Sequence, residues 1–392
     1  MNEDGVAVIA RADETLYAWT YLDNDARTIA TEGPLAGEAF GVKDIIDVRG
    51  MPTRFGVLEE APPARGDAWC VAALRAAGAV PIGKTATTAF AWRDPAPTRH
   101  PTVPEATPGG SSSGSAAAVA AGHVAFALGT QTVGSTLRPA AYCGIVGYKP
   151  TYGTIPVFGV SPLAPSLDHV GILARDVETA TRCARVFGVS PVPADTQPRI
   201  GFAADAFAQY VGAEVTAAIA RLAREAAAAG GHVERIALPA SFFDVFDLLE
   251  PLIAYEAFAL HEPWTRATSP ALPPHLAALL RRGAAELASS RAETLAYRRE
   301  TRAEIDAALQ PFDAVMLIVA DTAPNRTTTG FGPPAASATF YGLPAVSLPI
   351  GAGARGLPIG VQLVARLGDD ARLLATARWL EAIVAKRTMQ QG

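Results

Sequence analysis

From Thr107 to Pro150 the chain reads TPGGSSSGSAAAVAAGHVAFALGTQTVGSTLRPAAYCGIVGYKP. Two Gly- and Ser-rich turns, Gly109–Ser115 and Gly129–Ser135, flank an Ala-rich stretch with helical character and a strand-like run, His123–Leu128. A serine is a natural N-cap for the helix. A helix of about eight residues rises roughly 12 Å, and a strand of five or six covers roughly 17–20 Å. A strand returning beside its helix therefore brings the second turn near the first. Such turns direct several backbone N–H groups at one point, an arrangement that stabilises a developing oxyanion.

The rest of the chain sets the surroundings of this run. Asp67–Ala77 reads as a helix stopped by Gly78, followed by a short buried strand, Ala79–Ile82. Arg199–Phe202 and Val233–Leu238 read as strands around a helix over Val215–Ala229. Ala314–Val319, Ala345–Pro349 and Ile359–Val364 are strand-like, and Asp369–Ala385 is a terminal helix. This alternation predicts an α/β fold with a mixed central β-sheet flanked by α-helices. Residues 240–309 differ. They are mostly helical, broken at HEPW and at SPALPPH, and read as a helical region shaping a substrate pocket. The expectation is one domain over 1–392, with its core about 30–190 and 310–390.

Composition excludes several classes. Hydrophobic residues make up 49% of 392, enough for a large core. The net charge is −5 and no basic block appears, which argues against a nucleic-acid partner. The longest apolar run, Ala116–Leu128, is too short to span a membrane, and the acidic start lacks a signal-peptide pattern. Three sparse cysteines, Cys70, Cys143 and Cys183, suit buried reduced thiols and a cytoplasmic location. No His/Cys/carboxylate set has metal-ligand spacing, so neither metal nor organic cofactor is expected. The sequence leaves open a homodimer.

A serine nucleophile needs a base. None of the six histidines (His100, His123, His169, His232, His261, His275) has an evident acid-supported setting. Lys43 lies in the apolar, strand-like AFGVKDIID, where burial would favour a neutral amine. An ordinary ion pair with Asp44 or Asp47 is the alternative on that stretch alone.

At this point the sequence resembles the amidase-signature family. GPLAGEAFGVKDIIDVRGMPTRFG (33–56) is similar to its lysine segment, and the Thr107–Pro150 run to the signature itself. SLDHVGILARDV (166–177) and GLPAVSLPIG…GLPIGVQLVA (342–365) match two further stretches, and the serines at 111 and 135 stand 24 positions apart as in the family. The resemblance implies a Ser135 nucleophile, a Ser111 bridge held by a cis peptide bond, and Lys43 as base. It implies an oxyanion hole from the N–H groups of Thr132, Val133, Gly134 and Ser135, with Ser112 in support. Lys84 and Lys149 are read as structural. Two departures stand out. Val133-Gly134 replaces Gly-Gly, adding bulk beside the oxyanion. The arginine after the nucleophile is Arg138, a spacing that resembles the malonamidase-like branch, where it would hold a substrate carboxylate. Otherwise it is a structural arginine against Asp168 or a carbonyl. Specificity walls are expected from the helical region and from Phe340-Tyr341.

The expected reaction is hydrolysis of a small linear carboxamide. The alternatives are an amidotransferase A-like subunit working with a partner, or a non-catalytic homologue that binds an anion or amide. Two chance motifs are set aside. Gly78–Thr85 satisfies a Walker A string, but a helix precedes it and VPI sits inside the supposed loop. Gly110–Gly114 satisfies a nucleophile-elbow string centred on Ser112, but leaves Lys43 and the second turn unexplained.

Overall fold

A computed structural model describes residues 3–26, 32–193, 195, 197–203, 206–266, 271–330 and 332–391. Eleven described strands share one sheet: β1 (Trp19–Leu22), β2 (Ala39–Lys43), β3 (Val80–Thr85), β4 (Phe126–Gln131), β5 (Val146–Lys149), β6 (His169–Ala174), β7 (Arg199–Phe202), β8 (His232–Arg235), β9 (Ala314–Ile318), β10 (Ala345–Ala352) and β11 (Pro358–Val364). Their order is β1-β3-β2-β4-β6-β5-β10-β11-β9-β7-β8. Parallel pairs at β3/β2/β4 and β9/β7/β8 enclose an antiparallel centre, so the sheet is mixed, as the alternation of the sequence predicts.

The described helices are α1 (Glu3–Asp13), α2 (Trp69–Ala76), α3 (Ser113–Ala120), α4 (Leu137–Cys143), α5 (Val177–Val186), α6 (Ala213–Ala228), α7 (Val245–His261), α8 (Pro274–Gly283), α9 (Ala288–Leu309), α10 (Pro333–Phe340) and α11 (Asp370–Gln391). Alternation along β5 separates two layers. Gly147 faces α4, where an added Cβ would lie 2.6 Å from Ala140 Cβ, whereas the Tyr148 hydroxyl donates to Asp370 of α11. The Ala-rich α3 and short α4 therefore cover the sheet closely on one face. On the other, α11 packs with α5 and α6. Local chemistry sets several boundaries. Asp176 caps α5 by accepting from Thr179 N, and Gly78, at φ +94°, ends the α2 turn in a conformation glycine adopts freely.

Several expected boundaries shift, as where Ala79–Ile82 runs on to Thr85 in β3 and Val233–Leu238 ends at Arg235 in β8. The strand read as His123–Leu128 is β4 at Phe126–Gln131, three residues later. Thr130 and Gln131 look like turn residues in sequence, yet they pair with Val170 and His169 of β6. The Walker-like string is no phosphate loop either. Most of it is β3, and Lys84 is buried against Asp44 at 3.1 Å. The helical stretch 240–309 is present as α7, a 3₁₀ turn at Glu262–Arg266, α8 and α9. Ser269 and Pro270, in the second expected break, lie outside the described residues. Among the described residues no helix is long and apolar enough to cross a membrane.

Candidate active site

Parallel pairing of β2 with β4 brings their C-terminal ends together, and Lys43 ends β2. Its Nζ lies 2.6 Å from Ser111 Oγ and 2.7 Å from Thr130 Oγ1. Lys43 is fully buried and makes no ion pair with Asp44 or Asp47. Asp44 instead pairs with Lys84, and Asp47 accepts from the Thr53 hydroxyl. Burial pushes the Lys43 ammonium well below its usual range, partly opposed by the charge of Asp168. Lys43 is sealed from solvent, but Ser111 lines a large cavity, so Ser111 stands between the amine and that cavity.

The two serine turns meet over the end of the sheet. The Gly110–Ser111 peptide is cis. Ser112 Oγ donates to Thr130 O and accepts from Thr130 N, both at 3.2 Å, while Ser112 N donates to Ser135 O at 3.3 Å. Close approach here needs small residues: a Cβ on Gly129 would come within 2.7 Å of Ser112 Oγ. Ser135 lines the same cavity as Ser111. Among the described residues, the N–H groups of Val133, Gly134 and Ser135 donate to no carbonyl.

Three residues brace this second turn. Gln131 Oε1 accepts from Thr136 N and Leu137 N, and its amide donates to Thr339 Oγ1 at 2.9 Å. The Thr339 hydroxyl donates to Val133 O. Thr132 donates to Asp168 Oδ1 at 2.6 Å, and Asp168 Oδ2 accepts from Leu163 N and Ala164 N at 2.8 and 3.0 Å. Burial raises the Asp168 carboxyl to about 6, against those hydrogen bonds. Thr339 lies in no stretch that sequence reasoning singles out for this site, and neither Thr130, in the second turn, nor Asp168, in the stretch 166–177, is given this role by its motif. Their only signal is the family-like stretch around Asp168 and an unusual density of hydroxyls.

Arg138 is buried and lines the cavity. Its Nη2 donates to Gly110 O at 2.6 Å, tying the two turns together. It does not meet Asp168, and no described carboxylate pairs with it; Nε is buried without a partner. A Cβ on Gly332 would come within 2.7 Å of Nη1, so the absence of a side chain there leaves the guanidinium room.

The cavity measures about 710 Å³. Its floor carries Ser111, Thr132, Val133, Ser135 and Arg138, and Thr327–Gly330 form one side. The helical region forms another through Phe246, Leu249, Glu250 and Ile253 of α7 and His275 of α8. The walls expected from Phe340-Tyr341 are not there. Both residues are fully buried; the Phe340 ring lies under Arg298 of α9, and the Tyr341 hydroxyl donates to Ser241 O. Their helix α10 instead turns Pro333 and Ala336, three residues apart, toward the cavity. Among the histidines, His100, His169 and His261 are buried against the carbonyls of Tyr142, Leu167 and Pro162. Lys149 is buried with its amine on the Pro150 and Leu343 carbonyls, and burial brings it down to about 7. It does not line the cavity. Cys70, Cys143 and Cys183 are free and buried. Among the described residues no group of three His, Cys, Asp or Glu is placed to hold a metal ion.

A mixed sheet with two serine turns and a buried lysine at one strand end defines an α/β enzyme with a pre-built polar floor. Residues 2–374 match the pattern of the amidase family. The chain is 31% identical over 408 residues to the A-subunit of the glutamyl-tRNA(Gln) amidotransferase of Moorella thermoacetica, covering 88% of this chain and 82% of that one. It superposes on a crystal structure described as an amidase with a TM-score of 0.88 at 31% identity, covering 97% and 94% of the two chains. It also superposes on the peptide amidase of Stenotrophomonas maltophilia with a TM-score of 0.82 at 27% identity, covering 97% and 92%. The chain belongs to the amidase family, and it is an amide hydrolase.

Proposed function

We propose that the chain hydrolyses a linear carboxamide through an acyl-enzyme on Ser135, with Ser111 and Lys43 as the proton path. Ser135 Oγ attacks the carbonyl carbon as its proton passes to Ser111 Oγ and the Ser111 proton passes to Lys43 Nζ. When the C–N bond breaks, the proton returns by the same path to the leaving nitrogen, and an ester remains on Ser135. Water then attacks that ester, losing its proton along the path. The proton returns along that path to Ser135 Oγ as its bond to the acyl carbon breaks, and the carboxylic acid leaves with serine and lysine restored. The N–H groups of Thr132, Val133, Gly134 and Ser135 are assigned to the oxyanion, with Ser112 holding the two turns in register.

One observation carries this reading: a sealed lysine whose ammonium is disfavoured sits 2.6 Å from a serine that opens on the same cavity as a second serine. A neutral amine accepts a proton; a surface ammonium does not. The buried Arg138, with no described carboxylate partner and facing the cavity, supports a carboxylate on the substrate, as in the malonamidase-like branch.

Incubation with an amide and hydroxylamine tests the acyl-enzyme. The expected outcome is a hydroxamate that disappears in Ser135→Ala; a protein that only binds amides forms none. The relatives favour a second reading, in which the chain is an amidotransferase A-like subunit working with a partner. That reading expects turnover to rise on adding the partner.

A further inference from the structure

The cavity is much larger than a small acidic amide requires. Pockets of roughly 300–1,000 Å³ enclose drug-sized ligands, and this one measures about 710 Å³. Its polar groups sit mainly on the floor and the threonine side. Opposite them, α7 presents Phe246, Leu249 and Ile253 at positions i, i+3 and i+7, one face of a helix. Trp92, which follows the turn Ala89–Ala91, adds an indole to the same lining.

The charges at the helical wall already have partners. Arg93 pairs with Glu250 at 3.1 Å and Glu250 also with Arg282 at 3.2 Å, while the His275 ring hydrogen-bonds with the Asp94 carboxylate at 2.8 Å. Arg93 lies over the Trp92 ring at 4.7 Å. These pairs brace the indole wall against α7 and leave no unpaired charge among the described residues there to select an ionic group. The described cavity charge without a counter-ion is Arg138, on the floor.

We infer that the cavity half formed by Trp92, Phe246, Leu249 and Ile253 is a subsite for an apolar alkyl or aryl arm carried on the acyl side of the amide. The proposal rests on the reaction proposed above. The side assignment follows from that proton path. Ser111 returns the proton to the leaving nitrogen, and behind Ser111 stand the buried Lys43 and Thr130. Gly110 is hemmed by Thr88 and Thr329, where an added Cβ would meet methyl carbons at 3.2 and 2.9 Å. The nitrogen therefore faces the closed side, which suits ammonia or a small amine, and the acyl arm faces the roomy one.

The test is a series of primary amides, from acetamide through butyramide and hexanamide to octanamide, with phenylacetamide, the same arms carried at C2 of malonamate, and the same arms carried on nitrogen as N-alkyl acetamides. Turnover is measured on the full-length enzyme, and binding by calorimetry on the Ser135→Ala protein. Each buried methylene is expected to raise kcat/KM, and affinity in the Ser135→Ala protein, by roughly fourfold until the wall is filled. Phe246→Ala is expected to cut the octanamide-to-acetamide preference by about tenfold or more. Phe246→Leu, which keeps an apolar side chain at that position, is expected to restore most of the slope, and so separates lost contact from lost folding. A flat or falling series in the binding measurement overturns the subsite. A rising binding series with no turnover or hydroxamate from any amide keeps the subsite and overturns the reaction. A rise confined to N-alkyl acetamides overturns the acyl-side assignment.

Discussion

The floor of the cavity and its helical wall solve opposite problems. On the floor, Lys43, Ser111, Ser112, Thr130 and Gln131 are almost wholly buried, and their polar atoms meet one another at fixed distances. A buried polar group without a partner costs roughly 1–3 kcal/mol, so such a network tolerates one arrangement. On the wall, apolar side chains of α7 face the cavity while Glu250, Arg282 and Arg93 pair with side chains 39–56% exposed. Apolar contact is not directional, and exposed pairs contribute only about 0–1 kcal/mol. The contrast teaches where this enzyme can change: the floor holds geometry, and the wall can be repacked.

Ser135→Ala tests the floor most severely. Turnover is expected to vanish with the thermal unfolding midpoint unmoved; activity retained in a clean preparation would remove Ser135 as nucleophile. Lys43→Ala should follow, with a loss of several orders of magnitude. In the native enzyme the charged lysine accepts no proton. The rate should therefore fall as pH drops through the depressed Lys43 value and rise to a plateau on the alkaline side. A rate that rises as pH drops on the acid side, with chemistry limiting, contradicts a neutral-lysine base.

Asp168 is the finer probe of the same network, because it touches Thr132 and not the cavity. Asp168→Asn is expected to lower kcat by roughly ten- to a hundredfold with KM little changed, since it displaces the turn and not the binding groups. Burial raises its carboxyl from 3.8 to about 6. In that window the folded state holds the extra proton, so this group costs stability as pH climbs from 3.8 to about 6. The Asn variant should lose both that slope and an acid limb near the same pH. A purely structural role would lower stability without altering the pH profile.

Arg138→Ala sharpens the boundary between the two regions. If its guanidinium holds a carboxylate, acidic amides should lose roughly tenfold or more beyond neutral ones in kcat/KM. An equal loss would leave Arg138 as a tie between the two turns through Gly110 O. The smallest effect is expected at Arg282→Ala on α8, below about 1 kcal/mol in unfolding free energy. A larger loss would show that the helical wall depends on its surface charges after all.

Much of this is legible in the sequence. The Gly stops, β-branched runs and Ala-rich stretches encode the α/β alternation locally, and β7 falls at Arg199–Phe202 as the pattern predicts. The failures fall at groups whose partners are distant in sequence. Thr130 and Gln131 read as turn because polar residues usually mean solvent. They are strand because Lys43, 87 positions away, and Thr339, 208 away, satisfy them. Phe340-Tyr341 read as cavity wall because aromatic residues often line pockets, yet α9 covers them.

The sequence by itself determined much of the helix and strand alternation, that two serine turns border one strand, and that an apolar stretch carries a lysine. These follow from short-range periodicity and turn chemistry. Only the tertiary structure decided that Lys43 is sealed and escapes Asp44, that Asp168 grips the Thr132 turn, and that α7 turns its apolar face inward. Those outcomes depend on which strands become neighbours, and desolvation and pairing are properties of the assembled neighbourhood.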